Sequence, residues 1–542
     1  TLRTIALYLE IGDDSFRSRA YERAAIGVES LPEDVDTLYA RDGLQGLESI
    51  PGVGRGLAEK IEEYVKTGEM KELEDQKKKM PVEVEELVQI EGIGPKAVKE
   101  LWKKLKVKNL EDLEKAVKAG KVQQLPGFGA KKEQNILQGI TFVKKNRGRW
   151  LLGAMYPAAK EIETMIVSSK LAAAVSVAGS VRRMKETIGD IDILAATDTA
   201  DELFEYIGRN TPFEKVWQRG ETKMSLHTPQ GFDIDVRAVS VDSFGAALQY
   251  FTGSKEHNVK VRTYAAKKGY KVNEYGVYKG TKCIASTTEK DVYKALGMEY
   301  IEPELREDQG EIESALKGSL PSLIPYDSLK GDLQIQTNWT DGQHSIEQMA
   351  QEAEKQGLEY IAITDHTADL AMTGGSDEKK LQLQMKEIDR IQKKFPGIRI
   401  LKGAEVNIRK DGSLDITDEV LAQLDVVGIS IHSLFKMSKK DMTDRIVKAM
   451  NNPHADILFH PTGRVIHQRE PYQVDMNEVI ATAKDTGTIL EINAFPGRLD
   501  LKDVHIRKAK EAGVRFCINS DAHRTDHISY LMYGIAQARR GW

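Results

Sequence analysis

The spacing of apolar residues changes twice along this chain of 542 residues, and these changes limit it to a multidomain fold. Up to about residue 145 the sequence has helical periodicity broken by glycines, with no alternating strand runs. Mixed strands and helices begin near residue 150, and a segment containing three prolines marks a further boundary from about 300 to 325. Beyond it, apolar strand runs alternate with helical patterns, which predicts a βα barrel of parallel strands. The expected fold class is multidomain, α+β and α/β.

The composition is that of an ordinary soluble globular protein, with 40% apolar and 30% charged residues. No apolar run approaches the roughly 18 residues of a membrane span, and no charged-then-apolar leader is present. The two cysteines lie far apart, so neither a disulfide framework nor a thiolate metal site is indicated. We expect a cytoplasmic monomer that does not bind membranes.

A glycine-containing element occurs three times in the helical part of the chain. Each copy is an apolar residue, then G-x-G, then a helix, and the glycines are Gly52 and Gly54, Gly92 and Gly94, and Gly127 and Gly129. A tight turn whose backbone N–H groups open onto a helix N-terminus can hold a phosphate without contacting a base. One copy could simply join two helices. Three copies favour binding of the DNA backbone and resemble the helix-hairpin-helix motif of DNA-repair proteins.

The charge of the chain is unevenly distributed, although the net charge is only −5. Residues 87–149 contain 15 lysines and arginines against 6 acidic residues, a local excess of nine positive charges. Such an excess is typical of a surface that binds phosphate, and a solvated helical face is the alternative.

Two short strand patterns carry paired aspartates. Asp190 and Asp192 alternate along GDIDILAA, so both carboxylates project from one face, and FDIDVRAV offers Asp233 and Asp235 in the same way. Like charges so placed repel unless a cation lies between them. Three converging carboxylates suit a pair of Mg²⁺ ions about 3.5–4 Å apart, as in phosphoryl transfer. An acidic solvent-facing strand is the alternative for D-x-D alone.

The residues before the first aspartate pair have the character of a phosphate site. Gly179 and Ser180 form a predicted turn that opens a helix, whose amides and hydroxyl would hold a triphosphate beside Arg182 and Arg183. Gly189 would let the backbone approach the ligand closely.

These motifs resemble the palm of the family X DNA polymerases, the group that contains polymerase beta. G-S-x-R-R followed by G-D-x-D carries the resemblance, YFTGSKEHNVKVR resembles the nucleotide-binding segment of the family, and KGYKVNEYGVY resembles its thumb. The resemblance extends from about residue 10 to 285. It implies a nucleotidyltransferase palm and thumb and a DNA polymerase that fills short gaps in repair, including base excision repair, with gapped or primer-template DNA and dNTPs as partners.

The resemblance also implies roles for individual residues. Asp190, Asp192 and Asp235 would hold two Mg²⁺ or Mn²⁺ ions, and Asp235 is preferred to Asp233 because it immediately precedes the V-R of the matching strand. The implied nucleotide contacts are Gly179, Ser180, Arg183, Gly189, Tyr250, Phe251, Gly253, Asn258 and Arg262. Of these, the 250–253 segment would line the sugar pocket and select against a 2′-hydroxyl, whereas Asn258 and Arg262 would face the base pair and the template.

A lyase activity is implied near the N-terminus. The helix around AEKIEEYV matches the region that holds the lyase lysine of polymerase beta, so Lys60 would be a Schiff-base nucleophile, which requires a depressed pKa. Arg17 and Tyr21 match the pocket for the 5′-phosphate. Gly56 replaces a lysine of polymerase beta, and an exposed helical lysine is the alternative for Lys60.

Histidines are concentrated after residue 330, where nine of the eleven occur. Four follow strand-like runs, and three acids accompany them; the set is Asp341, His366, Glu405, His432, His460, Asp521 and His523. Polar side chains at the carboxyl ends of barrel strands are where such folds place chemistry. Imidazole and carboxylate without thiolate suit Mn²⁺, Zn²⁺ or Fe, whereas a lone histidine would be structural.

The same region resembles a PHP domain, a phosphoesterase barrel fused to the family X core in many bacterial polymerases. TDH at 364–366, HPTGR at 460–464 and DAH at 521–523 match its motifs. In the family the barrel binds three metals, such as Mn²⁺ or Zn²⁺, and acts as a 3′-5′ exonuclease, sometimes also cutting at abasic sites.

The first barrel strand departs from that family. PHP domains begin with H-x-H there, whereas this chain has Gln334 and Gln336. An amide oxygen is a far weaker ligand than imidazole, so one of three metal positions should have lost affinity. His432, His460 and Glu405 could still hold one ion, and His366 with His523 and Asp341 another. We expect nuclease activity to be weak or absent and the barrel mainly to support DNA.

The predicted domains are 1–85 and 86–150, helical with helix-hairpin-helix motifs, 151–241, the palm, 242–320, the thumb, and 325–542, the PHP domain. Two other functions fit parts of the sequence. A repair nuclease would use the palm as a DNA clamp, and a non-enzymatic scaffold would bind DNA ends through the three hairpins.

Overall fold

A computed structural model describes residues 1–29, 31, 35–90, 92–370 and 373–542, which form two units, residues 1–147 and 148–542. The unit boundary falls where the apolar pattern changes near residue 150. Within the described ranges, no helix is both long and apolar enough to cross a membrane. The finer domain limits given above stay predictions.

The first unit is built from amphipathic helices. In chain order these are α1 (Leu2–Ile11), α2 (Ser15–Glu29), α3 (Val35–Glu48), α4 (Arg55–Thr67), α5 (Lys71–Lys79), α6 (Val84–Val88), α7 (Pro95–Leu105), α8 (Leu110–Lys118) and α9 (Gly129–Asn146). Their apolar faces meet in cores in which Leu87, Leu101 and Leu110 are fully buried. The helical periodicity of the sequence is therefore satisfied by burial of one face of each helix.

All three glycine elements form the predicted tight turn. The closing hydrogen bonds run from the amides of Val53, Ile93 and Phe128 to the carbonyls of Ile50, Ile90 and Leu125, at 3.0, 2.9 and 3.1 Å. The first glycine of each pair has a positive φ, +83° at Gly52, +85° at Gly92 and +80° at Gly127. Gly54 and Gly94 are extended and precede α4 and α7 directly, whereas Gly129 has φ +59° and is itself the first residue of α9.

The second unit begins with a palm-like α+β region. Its elements are β1 (Trp150–Leu151), α10 (Leu152–Ser169), β2 (Ala174–Val177), α11 (Gly179–Arg182), β3 (Thr187–Ile188), β4 (Asp190–Ala196), α12 (Ala200–Asn210), β5 (Lys215–Arg219), β6 (Lys223–His227) and β7 (Asp233–Val239). The main sheet has the order β2-β4-β7-β6-β5, in which β4 and β7 are parallel and the other pairs antiparallel. Ile191 and Ile234 are buried on the face opposite the aspartates, as strand alternation requires.

A smaller α+β region follows the palm. It comprises α13 (Phe244–Thr252), α14 (Lys255–Lys267), β8 (Tyr270–Asn273), β9 (Gly276–Lys279), β10 (Lys282–Ala285), α15 (Glu289–Ala295) and α16 (Glu311–Lys317). The three strands form an antiparallel meander, and the helices bury Val261, Val292 and Tyr293 against it.

The last part of the chain is the predicted barrel. Strands and helices alternate as β11 (Gly331–Ile335), α17 (Ile346–Lys355), β12 (Tyr360–Ile363), α18 (Glu378–Gln392), β13 (Arg399–Asn407), α19 (Asp418–Leu421), β14 (Val426–Ser430), α20 (Lys439–Met450), β15 (Ile457–Leu458), α21 (Met476–Thr486), β16 (Ile489–Asn493), α22 (Asp503–Ala512), β17 (Phe516–Asn519) and α23 (Leu531–Arg540). In this described region each strand pairs in parallel with the next strand along the chain. A bridge between Ile335 and Ala522 joins the end of the last strand to the first.

The palm and the barrel share apolar contacts. Leu499, Tyr533 and Ala536 of the barrel region are nearly fully buried within the core of the palm. Gly153 of the palm lies so close to Pro496 that an added Cβ would come within 2.5 Å of its side chain. The two regions are therefore packed as one body, not joined by a linker alone.

Candidate active sites

The aspartates predicted from the strand alternation do converge. Parallel pairing of β4 with β7 places Asp192 beside Asp235 and Asp190 beside Asp233 in register. Burial, followed by the charges of Asp190 and Asp235, raises the pKa of Asp192 to about 7. The pKa of Asp190 is raised by burial and then by Asp235. Such mutual repulsion marks a position where divalent cations could bind.

The partners of the two β7 aspartates differ. Asp235 accepts a hydrogen bond from the Ser225 hydroxyl at 2.5 Å and pairs with Lys223 Nζ at 2.7 Å, so a lysine stands close to where cations would be held. Asp233 instead contacts His227 Nδ1 at 2.7 Å and is half exposed. The choice of Asp235 over Asp233 as a ligand stays a prediction.

The glycine turn before β4 is fitted closely to the carboxylates. Gly179 has φ +58°, and a Cβ there would come within 2.1 Å of Asp192 Oδ2, so any other residue would strain the backbone and displace this carboxylate. Ser180 follows it on α11 and is partly buried. At Gly189 the backbone is open, because the nearest atom to an added Cβ is Arg149 Nη1 at 3.8 Å.

The two adjacent arginines have different partners. Arg182 forms a bidentate pair with Glu289, at 2.9 and 2.6 Å, which makes it a structural residue. Arg183 contacts Glu307 through Nε at 3.0 Å and donates through Nη1 to the Thr252 carbonyl. Among the described residues Arg183 Nη2 has no hydrogen-bond partner, which leaves one edge of its guanidinium for a ligand.

The segment predicted to line a sugar pocket is braced from beneath. Asn258 is nearly buried and donates through Nδ2 to the Tyr250 carbonyl at 2.7 Å. The Phe251 ring packs at 5.2 Å from that of Tyr250, and an added Cβ at Gly253 would meet Arg183 Nη1 at 3.1 Å. Asn258 therefore braces the backbone of the pocket segment, and its contact with the base pair stays a prediction.

Two arginines lie at the edge of the site. Arg262 was predicted from the sequence, and Arg149 was not. Arg262 is exposed one helical turn after Asn258 on α14, where it could reach a template. Arg149 donates to the Thr187 hydroxyl at 2.8 Å, and its charge partly opposes the rise in the pKa of Asp190, so it stands beside the carboxylates. The sequence showed Arg149 only as the end of the basic run.

The lyase residues also come together, with an unpredicted acid among them. Lys60 Nζ lies 5.7 Å from the Tyr21 ring centre and 2.5 Å from Glu72 Oε2, and Arg17 pairs with the other oxygen of Glu72 at 2.9 Å. Burial would lower the pKa of Lys60, but Glu72 and Tyr21 together outweigh it and raise that pKa. A Schiff-base lysine needs the opposite shift.

The barrel histidines gather at the carboxyl ends of the strands around Glu405. Glu405 Oε1 lies 3.0 Å from His432 Nε2 and 2.8 Å from His460 Nε2, while Oε2 lies 3.5 Å from His366 Nδ1. Burial would raise the pKa of Glu405, but His366 and His432 outweigh it and hold that pKa well below its usual range. His366, Glu405 and His432 could together hold one metal ion.

A second group of ligands lies beside the first. Asp341 Oδ2 is 3.6 Å from both His366 Nε2 and His523 Nε2, and the three residues could hold another ion. Asp341 raises the pKa of His523 to about 9 against the effect of burial. Mn²⁺ and Zn²⁺ both suit this combination of imidazole and carboxylate.

The two glutamines fill the remaining part of the site with amide groups. Gln336 and Gln334 donate through Nε2 to Glu405 Oε2, at 2.8 and 3.2 Å. Asp521, a predicted ligand, lies in neither group and pairs with Arg498 Nε at 3.3 Å. Amide donors and a fixed guanidinium thus satisfy the carboxylates at this end of the cluster.

Comparison with known proteins agrees with this geometry. Family models match at 1–70 (helix-hairpin-helix domain), 84–140 (SAM-like helix-hairpin-helix tandem), 247–307 (DNA polymerase beta thumb) and 332–495 (PHP domain). The chain is 38% identical, over its whole length and 94% of the relative, to the DNA polymerase/3′-5′ exonuclease PolX of Bacillus subtilis. It is 27% identical to rat DNA polymerase lambda over 56% of the chain and 55% of that protein. A third of the chain is 33% identical to 72% of a probable phosphatase of Thermoanaerobacter.

The raised pKa of Asp192 predicts a pH-dependent metal affinity in the palm. Below pH 7 the carboxyl carries a proton that a divalent ion must displace, so affinity should fall about tenfold for each pH unit below 7 in DNA-free protein. The test measures Mn²⁺ affinity at pH 6, 7 and 8 by electron paramagnetic resonance. A His366→Ala, His432→Ala background removes barrel ligands, so that binding in the palm is observed. Asp192→Asn should lose the dependence; constant affinity from pH 6 to 8 in the parent would contradict the expectation.

Proposed function

The chain belongs to the PolX family of DNA polymerases, and on that premise we propose that it fills short gaps in DNA by two-metal nucleotidyl transfer to a primer 3′-hydroxyl. The observation that carries the proposal is the convergence of Asp190, Asp192 and Asp235 on one face of the β4–β7 pair. Gapped or primer-template DNA and dNTPs are the proposed partners.

The palm carboxylates would hold two Mg²⁺ or Mn²⁺ ions. When bound, these ions lower the pKa of the primer hydroxyl and stabilise the departing pyrophosphate. The chain holds three carboxylates close together against their mutual repulsion. Asp235 would exchange its ion pair with Lys223 for contact with a metal ion. Because Lys223 is tethered to the neighbouring strand β6, it remains beside the site after the exchange.

The triphosphate would lie along α11. Ser180 would donate a hydrogen bond to it through its hydroxyl. Arg183 would donate through Nη2, which has no hydrogen-bond partner among the described residues. The Tyr250–Phe251 segment would contact the sugar, held in place by Asn258. Gly253 allows this segment to approach Arg183 closely, so sugar and phosphate contacts are positioned by the same turn.

The N-terminal unit would bind the DNA backbone. The turns at Gly52, Gly92 and Gly127 precede helices whose first amides lack partners within the helix, and these amides would bind phosphates. The local excess of basic residues adds sequence-independent attraction to phosphates.

The barrel would hold Mn²⁺ or Zn²⁺ at the two ligand groups, with a third position weakened. Gln334 and Gln336 supply donors to Glu405 where a metal site needs acceptors, and Arg498 already balances Asp521. We therefore propose weak 3′-5′ exonuclease activity and a mainly structural or DNA-positioning role.

Lyase chemistry at Lys60 would require release from Glu72. The ion pair keeps the amine protonated, whereas Schiff-base formation needs the free amine. A 5′-phosphate bound by Arg17 would compete for one of the two cations that Glu72 holds.

Polymerase function is tested by removing one palm carboxylate. Asp192→Ala should reduce primer extension on one-nucleotide gapped DNA by about 10³-fold, because an electrostatic stabiliser of the transition state is lost. Binding of the same DNA should stay close to that of the parent. Asp233→Asn is the matched control and should retain most extension. A parent protein that shortens but never extends the primer would instead support a repair nuclease.

The state of the barrel is tested by restoring imidazoles. With Mn²⁺ and no nucleotides, Gln334→His with Gln336→His should increase shortening of a 5′-labelled primer by about 10- to 100-fold, because ligands replace donors. The same pair in a His432→Ala background should show no increase. Robust shortening by the parent that disappears in His432→Ala would contradict a weakened nuclease.

The lyase hypothesis is tested at Glu72. Glu72→Gln should lower the pKa of Lys60 and increase borohydride trapping on 5′-deoxyribose phosphate DNA at pH 7, and Lys60→Ala should abolish trapping. Glu59→Gln, which breaks only the exposed pair with Arg55, is the control. Equal trapping by Glu72→Gln and Glu59→Gln would refute the inhibitory role of Glu72.

A further inference from the structure

The last helix, α23, touches every region of the second unit. Tyr533 and Ala536 are buried in the palm core, and Arg539 pairs with Glu304, which precedes the barrel, at 2.7 Å. At Gly534 an added Cβ would come within 2.4 Å of Ile518, so the helix packs tightly on the barrel strand β17. Its position is therefore fixed on three sides.

Arg540, at the end of this helix, reaches the proposed nucleotide site. Its side chain is 3% exposed, and Nη2 pairs with Asp503 at 2.8 Å. Nη1 donates to the backbone carbonyl of Arg183 at 3.0 Å and to Glu307 Oε1 at 3.1 Å. A residue of the barrel region thus contacts both the backbone of Arg183 and its counter-ion.

Glu307 is shared among three cations. Its Oε1 accepts from Arg183 Nε and from Arg540 Nη1, and its Oε2 lies 3.4 Å from Lys185 Nζ. Burial would raise the pKa of Glu307, but Arg540 leads the cations that outweigh it and lower that pKa. The carboxylate is only 14% exposed, so these contacts are little screened by water.

This sharing limits how Glu307 can bind Arg183. A free carboxylate beside an arginine favours a bidentate pair, in which two parallel hydrogen bonds occupy the fork that a phosphate would use. With Arg540 and Lys185 also present, Glu307 contacts Arg183 only through Nε. The edge of the guanidinium that carries Nη2 remains open.

We propose that Arg540 is a positioning residue for the nucleotide: it competes with Arg183 for Glu307 and so keeps the Arg183 guanidinium available to the triphosphate. The inference rests on the proposed function of Arg183 in dNTP binding. It makes the C-terminal helix of the barrel region part of the polymerase site.

The test compares two adjacent arginines in the full-length chain. On one-nucleotide gapped DNA, Arg540→Gln should raise the KM for dNTP by about 10- to 100-fold, the loss expected for a charged hydrogen bond, with a much smaller change in kcat. Inhibition by pyrophosphate, a probe of the phosphate contacts, should weaken in parallel. Arg539→Gln, which breaks a buried pair of the same helix without touching Arg183 or Glu307, should leave both values near those of the parent.

A second substitution separates positioning from mere packing. Adding Glu307→Gln to Arg540→Gln removes the carboxylate that would capture Arg183. The KM for dNTP should then fall partly back towards that of the parent, whereas a mere packing defect would raise the KM further. Equal KM values for Arg540→Gln and Arg539→Gln would overturn the proposal. If thermal melting shows that Arg540→Gln does not fold, the KM values of Arg540→Lys and Arg539→Lys are compared instead and interpreted in the same way. A parent without primer extension would refute the proposed function instead.

Discussion

Carboxylates held together against their own repulsion are the constraint on which both chemical regions depend. In the palm, the parallel pairing of β4 and β7 leaves no freedom to separate Asp192 from Asp235, because their register is fixed by the sheet. Only one permanent cation, Lys223, lies in direct contact with this cluster among the described residues. Burial and the neighbouring carboxylates therefore raise the pKa of Asp192 to about 7, and the cluster is left with unbalanced negative charge.

In the barrel, the negative charge of the carboxylates is balanced by side chains of the protein itself. Glu405 is surrounded by imidazoles on one side and by the amides of Gln334 and Gln336 on the other, and Asp521 is balanced by Arg498. Each covalently attached donor reduces the gain from binding an ion, since the carboxylate is already satisfied when the ion arrives. The difference between the two sites is therefore one of residual unbalanced charge, although both are built from strand-end acids in a buried setting.

Sequence reasoning found what depends on local periodicity and missed what depends on long-range pairing. Alternation along β4 and β7 was sufficient to place Asp190, Asp192 and Asp235 on one face, and strand-end positions were sufficient to gather the barrel histidines. Lys223 and Glu72 carry no such pattern, because each is an ordinary charged residue until the fold brings it to its partner. The hydrogen bond from Asn258 to the Tyr250 carbonyl is likewise a tertiary feature that no sequence pattern indicates.

The packing of the palm gives the barrel a structural role that does not depend on its metal site. Leu499, Tyr533 and Ala536 complete the palm core, so a chain without the barrel would expose apolar surface next to the acidic strands. Glu304 and Glu307 would also lose Arg539 and Arg540 as counter-charges, and a buried charge left without its partner is strongly destabilising. The last helix therefore supports the palm through both apolar packing and charge, whereas Gln334 and Gln336 form no hydrogen bond with the palm among the described residues.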